Sequence, residues 1–287
     1  MSNYQILTDS GCDLSQTILD ELNVLRTSLV VNFKGQTLAD SVDEGIKDIY
    51  NGLRAGETAT TSAINPEGWK SAMEPTLSEG KDLLVITFSS GLSTTYQSAM
   101  IAADELRETY PDRQIRVVDS LSASLGQGLL VWYTAKKRDE GLSLDELATW
   151  VEDHKLNLSH WFTVDDLKYL KRGGRVSAAT ALLGTMLNIK PVLHVDDEGH
   201  LVSVTTVRGR KASIKALADK VAETGIPGAN DIAFICHGDC IDDANYLADI
   251  LKERHGVKEV YIGYTGAVIG SHSGPGTLAL FFLGNQR

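Results

Sequence analysis

The sequence has little cysteine and no long apolar run. Its three cysteines (Cys12, Cys236 and Cys240) are odd in number and scattered over 287 residues, which fits a reducing cytosol. The longest uncharged apolar stretch, residues 176–189, is too short and too rich in Ser, Thr and Asn to span a bilayer. The first residues lead directly into an apolar strand, so no signal peptide is expected. We therefore expect a cytoplasmic protein without stable membrane insertion.

Positive charge is also scarce. The chain has 27 Lys and Arg against 38 Asp and Glu, and its formal net charge is −11, which argues against nucleic-acid binding. The exception is the basic segment, residues 168–215, where nine Lys and Arg accompany three acidic residues. This segment is either a docking face for an acidic or phosphorylated partner or an ordinary solvated surface.

Several motifs of catalysis and cofactor binding are missing. The sequence has no G-x-S-x-G nucleophile elbow and no G-x-x-x-x-G-K-[ST] phosphate loop, and residues 126–128 lack the third glycine of a dinucleotide fingerprint. Residues 236–240 (CHGDC) contain metal-binding residue types but no second ligand pair at a suitable spacing. We expect no metal and no cofactor.

What the sequence does contain is a strand–loop–helix unit that recurs three times in the first 125 residues. Each apolar strand runs into a loop rich in hydroxyl groups, at residues 8–10, 89–95 and 119–124. In an open α/β sheet such loops gather at the carboxyl edge of the strands, where ligands bind. Helix N-termini at that edge present unpaired N–H groups, which suit an anion. The pattern indicates a small anionic ligand held by hydroxyl groups and backbone amides.

The alternation of strands and helices predicts an α/β fold with two domains. Residues 1–158 are predicted to form a Rossmann-like domain with a mostly parallel sheet. Residues 159–287 begin a new strand pattern and include a predicted hairpin at 192–204, which favours a mixed α/β sandwich. Within these domains, Asp13 is predicted to cap the first helix, and residues 177–189 are predicted to form a core helix.

Two segments rich in hydroxyl groups are candidates for the anion site. Ser93 lies where a strand meets its helix, among four other hydroxyl residues. A helix cap requires only one of these five hydroxyl groups, so the presence of the others favours a bound oxyanion. Residues 60–62 have two interpretations: they form a turn or a helix cap, or they form the second side of the same polar site.

Two glycine-containing segments are further candidates. Residues 171–175 (KRGGR) either close a helix with basic residues at its C-terminus or let a ligand or partner approach closely. His272 lies in a predicted Gly- and Ser-rich loop, residues 270–276. There it is either a packed or solvated side chain or a group that donates to a carboxylate or moves a proton.

Taken together, these segments resemble the DegV family of bacterial lipid-binding proteins, which includes the acyl-carrying subunits of a two-component fatty acid kinase. The ordered motifs extend over essentially the whole chain. The matching motifs are Thr8-Asp9-Ser10, Thr61-Ser62, Ser89-Ser90-Gly91-Leu92-Ser93 with Tyr96-Gln97-Ser98-Ala99, Val118-Asp119-Ser120, Leu170-Lys171-Arg172-Gly173-Gly174-Arg175-Val176-Ser177 and His272-Ser273-Gly274-Pro275-Gly276.

The resemblance implies that one long-chain fatty acid is buried between the two domains. Thr61, Ser62 and Ser93 would bind its carboxylate, helped by the backbone N–H after Ser93. His272 would join that hydrogen-bond network, and Arg175 would shape or cover the mouth of the site.

The resemblance also implies a role in lipid metabolism without catalysis by this chain. A separate ATP-dependent kinase subunit would phosphorylate the bound carboxylate, and Arg210 matches a residue implicated in docking that subunit. A monomer is expected. The chain departs from the family pattern at Thr94, where Gly is usual, and at Ala63, where Gln is usual. Thr94 would narrow the site or add a hydroxyl group.

Two other functions compete with the carrier. One is an acyl hydrolase or transferase in which Ser93 acts with His272, and it requires a carboxylate such as Asp9 or Asp119 to orient the histidine. The other is a sensor of phosphate or a sugar phosphate, which predicts a polar pocket.

Overall fold

The computed structural model describes residues 3–43, 45–176 and 188–287, and these form three β-sheets with helices packed around them. The strands are β1 Tyr4–Asp9, β2 Val24–Thr27, β3 Val30–Phe33, β4 Gln36–Ala39, β5 Ala59–Ser62, β6 Asp82–Thr87, β7 Ile115–Asp119, β8 Leu158–Thr163, β9 Ile189–Val195, β10 Leu201–Arg208, β11 Ile232–His237, β12 Glu259–Tyr264 and β13 Leu278–Leu283. The helices are α1 Gln16–Glu21, α2 Ile46–Arg54, α3 Pro66–Ser78, α4 Thr95–Thr109, α5 Leu125–Asp139, α6 Leu144–His154, α7 Lys168–Arg172, α8 Arg210–Thr224, α9 Ile241–His255 and α10 Ala267–Ser273.

The first sheet is parallel and has the strand order β2-β1-β6-β7. Its central strands, β1 and β6, are buried almost throughout, as their continuous apolar runs require. Because the three hydroxyl-rich loops follow the adjacent strands β1, β6 and β7, they meet at one edge. The predicted α/β class and the gathering of these loops are confirmed.

The second sheet is mixed, with the order β10-β9-β8-β13-β11-β12. The predicted hairpin is present as β9 and β10, with a turn at residues 196–199. A third, antiparallel sheet (β4-β3-β5) was not predicted. Residues 60–62 lie in its strand β5, so the turn or cap proposed for them is wrong.

Helix α5 packs between the two larger sheets. A Cβ atom on Gly126 would lie 2.3 Å from His160 of β8, and one on Gly128 would lie 2.6 Å from the Cys12 carbonyl oxygen. Between them, the Gln127 amide donates to the Thr8 hydroxyl at 3.0 Å. Residues 126–128 therefore serve close packing against both sheets.

Some other local predictions were wrong or stay untested. Ser15 caps α1, since its hydroxyl accepts from the Ile18 N–H, whereas Asp13 is buried with a left-handed backbone (φ 53°). The predicted core helix falls largely on residues 177–187, outside the described residues, and Ile189 begins β9. The domain division at residue 158 stays a prediction.

The described helices lack the features of a membrane-spanning segment. None of those within residues 3–43, 45–176 and 188–287 combines the length and the apolar character that spanning a bilayer demands.

Candidate functional site

A cavity of about 450 Å³ lies where the three sheets approach one another, a size typical of sites for small molecules. Its walls come from the loops after β6 and β7, from β5, from the inner face of the second sheet and from α10. The lining residues are Leu29, Thr61, Ser62, Ala63, Phe88, Ser90, Leu92, Ser93, Thr94, Ala123, Ser124, His160, Phe162, Leu170, Arg175, Val195, Leu201, Cys236, Thr265, Val268, Ile269, His272, Ser273, Thr277, Ala279 and Phe281. All six residues predicted to form the ligand site (Thr61, Ser62, Ser93, Thr94, Arg175 and His272) are among them.

The start of α4 forms one polar part of the wall. Its N-cap residue, Thr94, makes no side-chain capping hydrogen bond, so N–H groups of the first turn remain for a ligand oxygen. The Ser93 hydroxyl accepts from the Thr95 N–H at 3.2 Å and lies 2.8 Å from the Thr95 hydroxyl. Thr94 has φ −81°, a backbone open to any residue, so threonine fits where the family has glycine.

Strand β5 and helix α10 supply the facing polar part. The Thr61 hydroxyl and His272 Nε2 form a hydrogen bond of 2.7 Å. His272 lies in the last turn of α10, so the loop predicted for residues 270–276 is wrong in its first half. This contact joins two of the predicted site residues that are 211 positions apart in the sequence.

The paired glycines after α7 have different roles. A Cβ atom on Gly173 would lie 2.2 Å from His272 Nδ1, whereas Gly174 has φ +70° and open space around it. Gly173 therefore lets the His272 ring pack directly on the backbone, and Gly174 provides the chain reversal. The chain that follows this reversal places Arg175 beside the cavity.

Arg175 is the only lining residue in the described ranges with a formal charge at neutral pH. Its Nε donates to the Leu92 carbonyl at 3.3 Å, and its Nη1 donates to the Gly173 carbonyl. Burial, with the nearby Arg175 and Arg172 charges, lowers the pKa of His272 to about 4. The site therefore contains one cation and a neutral imidazole, a combination suited to a single carboxylate.

The rest of the wall is mainly apolar. Phe88, Phe162, Leu170, Val268 and Phe281 line it, and Phe162 and Phe281 are part of the core that α5 shares with both larger sheets. A mainly apolar wall with one charged residue fits a ligand with a hydrocarbon chain better than the polar pocket that a phosphate sensor predicts.

Part of the hydroxyl pattern has a structural role. The buried Ser89 hydroxyl donates to the Gly199 carbonyl of the β9–β10 turn at 2.9 Å. Asp9, at the end of β1, accepts from the Phe88 N–H at 2.7 Å, and the Ser10 hydroxyl donates to Asp40 at 2.8 Å. Residues 8–10 do not line the cavity, so the prediction that all three loops hold the ligand was too broad.

The arrangement does not form a hydrolase triad. Within the described residues, Ser93 bonds to Thr95 and His272 bonds to Thr61, with no hydrogen bond between the predicted nucleophile and base. The Asp119 carboxylate accepts from the Ser90 and Leu121 N–H groups, so it does not orient His272. Neither feature favours nucleophilic catalysis.

Arg210 lies outside the cavity in a small ionic cluster. Its Nε donates to Asp243 at 2.8 Å, and its Nη1 lies 3.7 Å from Asp165. The adjacent Cys240 thiol donates to the Thr277 carbonyl at 3.3 Å, and Thr277 lines the cavity. The cluster thus borders the ligand site, while docking by Arg210 stays a prediction.

Sequence reasoning missed three polar residues deeper in the cavity, His160, Cys236 and Thr265, whereas Ser124 belongs to the hydroxyl-rich loop predicted at residues 119–124. Ser124 donates to Asp13, and the Thr265 hydroxyl lies 3.1 Å from the Cys236 sulfur. The available signal was a histidine inside the apolar strand at 158–163. No group of three or more His, Cys, Asp and Glu suited to a metal occurs in the part of the chain that the structure describes.

Acid should destabilise the ligand-free protein through His272. Because its folded-state pKa is about 4 and an unfolded histidine has about 6.5, the unfolded state binds more protons between these pH values. The free energy of unfolding contributed by neutral His272 should rise by roughly 3 kcal/mol from pH 4 to pH 6.5 and then stay constant. Urea unfolding of wild type and His272→Gln across this range measures the difference. If the difference in unfolding free energy between wild type and His272→Gln does not change with pH, the role of His272 is contradicted. The control is His200→Gln, which replaces an exposed histidine.

Comparison with known proteins is consistent with this geometry. The DegV family model, described as "Uncharacterised protein, DegV family COG1307", matches residues 3–285. A DegV domain-containing protein of Clostridium perfringens is 42% identical over 289 residues, covering 100% of this chain and 99% of the relative.

Solved structures share the fold. A DegV family protein from Thermus thermophilus, described by its fatty acid binding, has a TM-score of 0.88 and 32% identity, covering 98% of this chain and 99% of that one. DegV of Bacillus subtilis, described as a fatty acid binding protein, has a TM-score of 0.85 and 27% identity, covering 99% and 100%.

Proposed function

This chain belongs to the DegV family, and we propose that it binds one long-chain fatty acid in the cavity, with the carboxylate at the Arg175 end. Thr61, Ser62, Ser93 and the first turn of α4 would donate hydrogen bonds to the carboxylate. Thr94 offers a further hydroxyl group at the same end. The acyl chain would extend along the apolar wall toward Phe281.

The observation that carries this proposal is the charge distribution of the cavity. Arg175 is the single charged group among the described lining residues, and aromatic and aliphatic side chains form most of the remaining wall. A fatty acid has the complementary form, one anionic end and an uncharged chain. Relatives described as fatty-acid-binding proteins support the same ligand class.

The energetics favour such a ligand if its carboxylate is hydrogen-bonded. Burying a chain of about 16 carbons gains roughly 12 kcal/mol before association costs, at about 0.8 kcal/mol per CH₂. Burying an unpaired carboxylate would cancel much of that gain. Arg175 and the hydroxyl groups would remove this penalty.

We further propose that this chain presents the carboxylate to a separate ATP-dependent kinase subunit, as the family resemblance implies. Ser62 and Thr94 are exposed, whereas Ser124, His160 and Phe281 are buried, so the polar end of the cavity is the end that reaches solvent. A partner could reach the carboxylate there without opening the cavity. The ionic cluster of Arg210 borders this region and is the proposed docking contact.

Native mass spectrometry of the purified protein, followed by lipid extraction, tests the ligand proposal. A single fatty acid per chain is the expected result. A protein that remains ligand-free after incubation with C14–C18 fatty acids would exclude it. Turnover of p-nitrophenyl esters that is lost in Ser93→Ala would support the hydrolase instead.

Ser93→Ala should weaken fatty-acid binding roughly tenfold, because a hydrogen bond from a hydroxyl group to an ionised carboxylate is worth about 1.5 kcal/mol net. Titration calorimetry with palmitate measures the effect, and the melting temperature checks the fold. Ser71→Ala, on the exposed face of α3, is the control and should bind like wild type. Equal affinities of all three proteins would remove Ser93 from the carboxylate site.

A further inference from the structure

We propose that His160 is a second polar contact in the cavity, one that selects fatty acids with a hydroxyl or keto oxygen on the acyl chain. This inference rests on the proposed function, since it concerns the chain of the same ligand. None of the sequence motifs pointed to this residue.

The first observation is that His160 is buried and has no hydrogen-bond partner. It lies in the middle of β8, its residue is 1% exposed, and neither ring nitrogen is hydrogen-bonded within the described ranges. Its ring meets Phe281 edge-on at 5.5 Å and packs against α5 at Gly126. Because buried polar groups in native proteins are nearly always satisfied, such a histidine requires an explanation.

The second observation is that His160 lines the same cavity as Arg175. Thr277, Ala279 and Phe281 alternate along one wall, and Phe281 is directly paired with His160 in the sheet. Four residues of an extended strand cover about 14 Å. His160 therefore lies well along the wall from the segment that follows His272, at the level of the acyl chain and beyond the carboxylate.

The chemistry of a neutral imidazole matches an oxygen substituent. Burial lowers the pKa of His160 well below its usual value, so one ring nitrogen carries a hydrogen and the other accepts. A hydroxyl group on the ligand can donate to the unprotonated ring nitrogen or accept from the ring N–H. A keto oxygen can accept from the ring N–H. An unsubstituted chain offers neither interaction and leaves both nitrogens unpaired.

Comparison of chain-substituted ligands tests the inference. Dissociation constants are measured for palmitate and for hydroxypalmitates that differ in hydroxyl position, with wild type, His160→Phe and His160→Gln. At one or two mid-chain positions, the preference of wild type for the hydroxy acid over palmitate should exceed that of His160→Phe about tenfold. His160→Gln, which keeps a donor and an acceptor, should retain part of the preference.

The controls separate this inference from the proposed function. His194→Phe replaces an imidazole on the neighbouring strand that does not line the cavity and should behave like wild type. If wild type binds palmitate but His160→Phe shows the same preference for each hydroxypalmitate as wild type, the role of His160 is overturned and the proposed function is not. Failure of wild type to bind palmitate would overturn the proposed function. If His160→Phe does not fold, His160→Gln against His160→Leu provides the comparison.

Discussion

Arg175→Met should weaken fatty-acid binding roughly thirtyfold, about 2 kcal/mol, while the protein remains folded. Hydrogen bonds to charged groups are worth more than neutral ones because the ionised partner strengthens them. Arg175 is the only formal charge among the described residues of the cavity wall, and His272 is neutral near pH 7 because its pKa is about 4. No other lining residue in those ranges can balance the ligand carboxylate.

The matched control is Arg172→Met. Arg172 is exposed, stacks on Tyr169 and does not line the cavity, so this variant removes a nearby charge without touching the ligand. Calorimetry with palmitate and with hexadecanol, its uncharged analogue, distinguishes direct contact from general attraction. Arg175→Met should affect palmitate far more than hexadecanol. Equal losses for both ligands, or an equal loss in Arg172→Met, would contradict a carboxylate contact by Arg175.

Arg287→Met should lower the free energy of unfolding by about 3 kcal/mol, because it leaves several buried or half-buried carbonyl groups without a donor. The Arg287 side chain donates to the Leu121 carbonyl at 2.6 Å, to the Ser122 hydroxyl at 2.8 Å and to the Lys155 carbonyl at 3.1 Å. The residue is only 5% exposed. Burial lowers its pKa to about 10, so it is still charged at neutral pH. It ties the loop after β7 to the start of the second sheet.

Urea unfolding at pH 7 compares this variant with Arg116→Met, which breaks only the exposed ion pair with Asp145. The control should lose no more than about 0.5 kcal/mol. Because Ala123 and Ser124 follow the anchored loop and line the cavity, Arg287→Met should also weaken palmitate binding. A stability equal to that of Arg116→Met would show that the carbonyl groups find other donors.

Local sequence patterns predicted the parallel sheet, the hairpin and the hydroxyl-rich edge. Alternation of apolar strands with helices leaves few topologies, and consecutive parallel strands place their following loops on one side. The pairing of Thr61 with His272 was expected only from the family resemblance. The two residues are 211 positions apart, and no periodicity relates segments at that distance.

Other features were decided by contacts between segments. The hydroxyl groups of Ser89 and Ser93 look alike in the sequence, yet one binds a hairpin turn and the other lines the cavity. Gly173 resembles an ordinary helix C-cap, but the His272 ring occupies the space of its missing side chain.

The sequence by itself therefore determined the fold class, since strand and helix periodicity are local properties, and its loop composition predicts an anionic head group for the ligand. Only the tertiary structure decided which hydroxyl groups face the cavity, that Arg175 is the one formally charged residue among the described residues of the cavity wall, and that His160 is buried unpaired along the same wall. These are properties of packed surfaces, because burial and hydrogen-bond satisfaction depend on segments far apart in the chain.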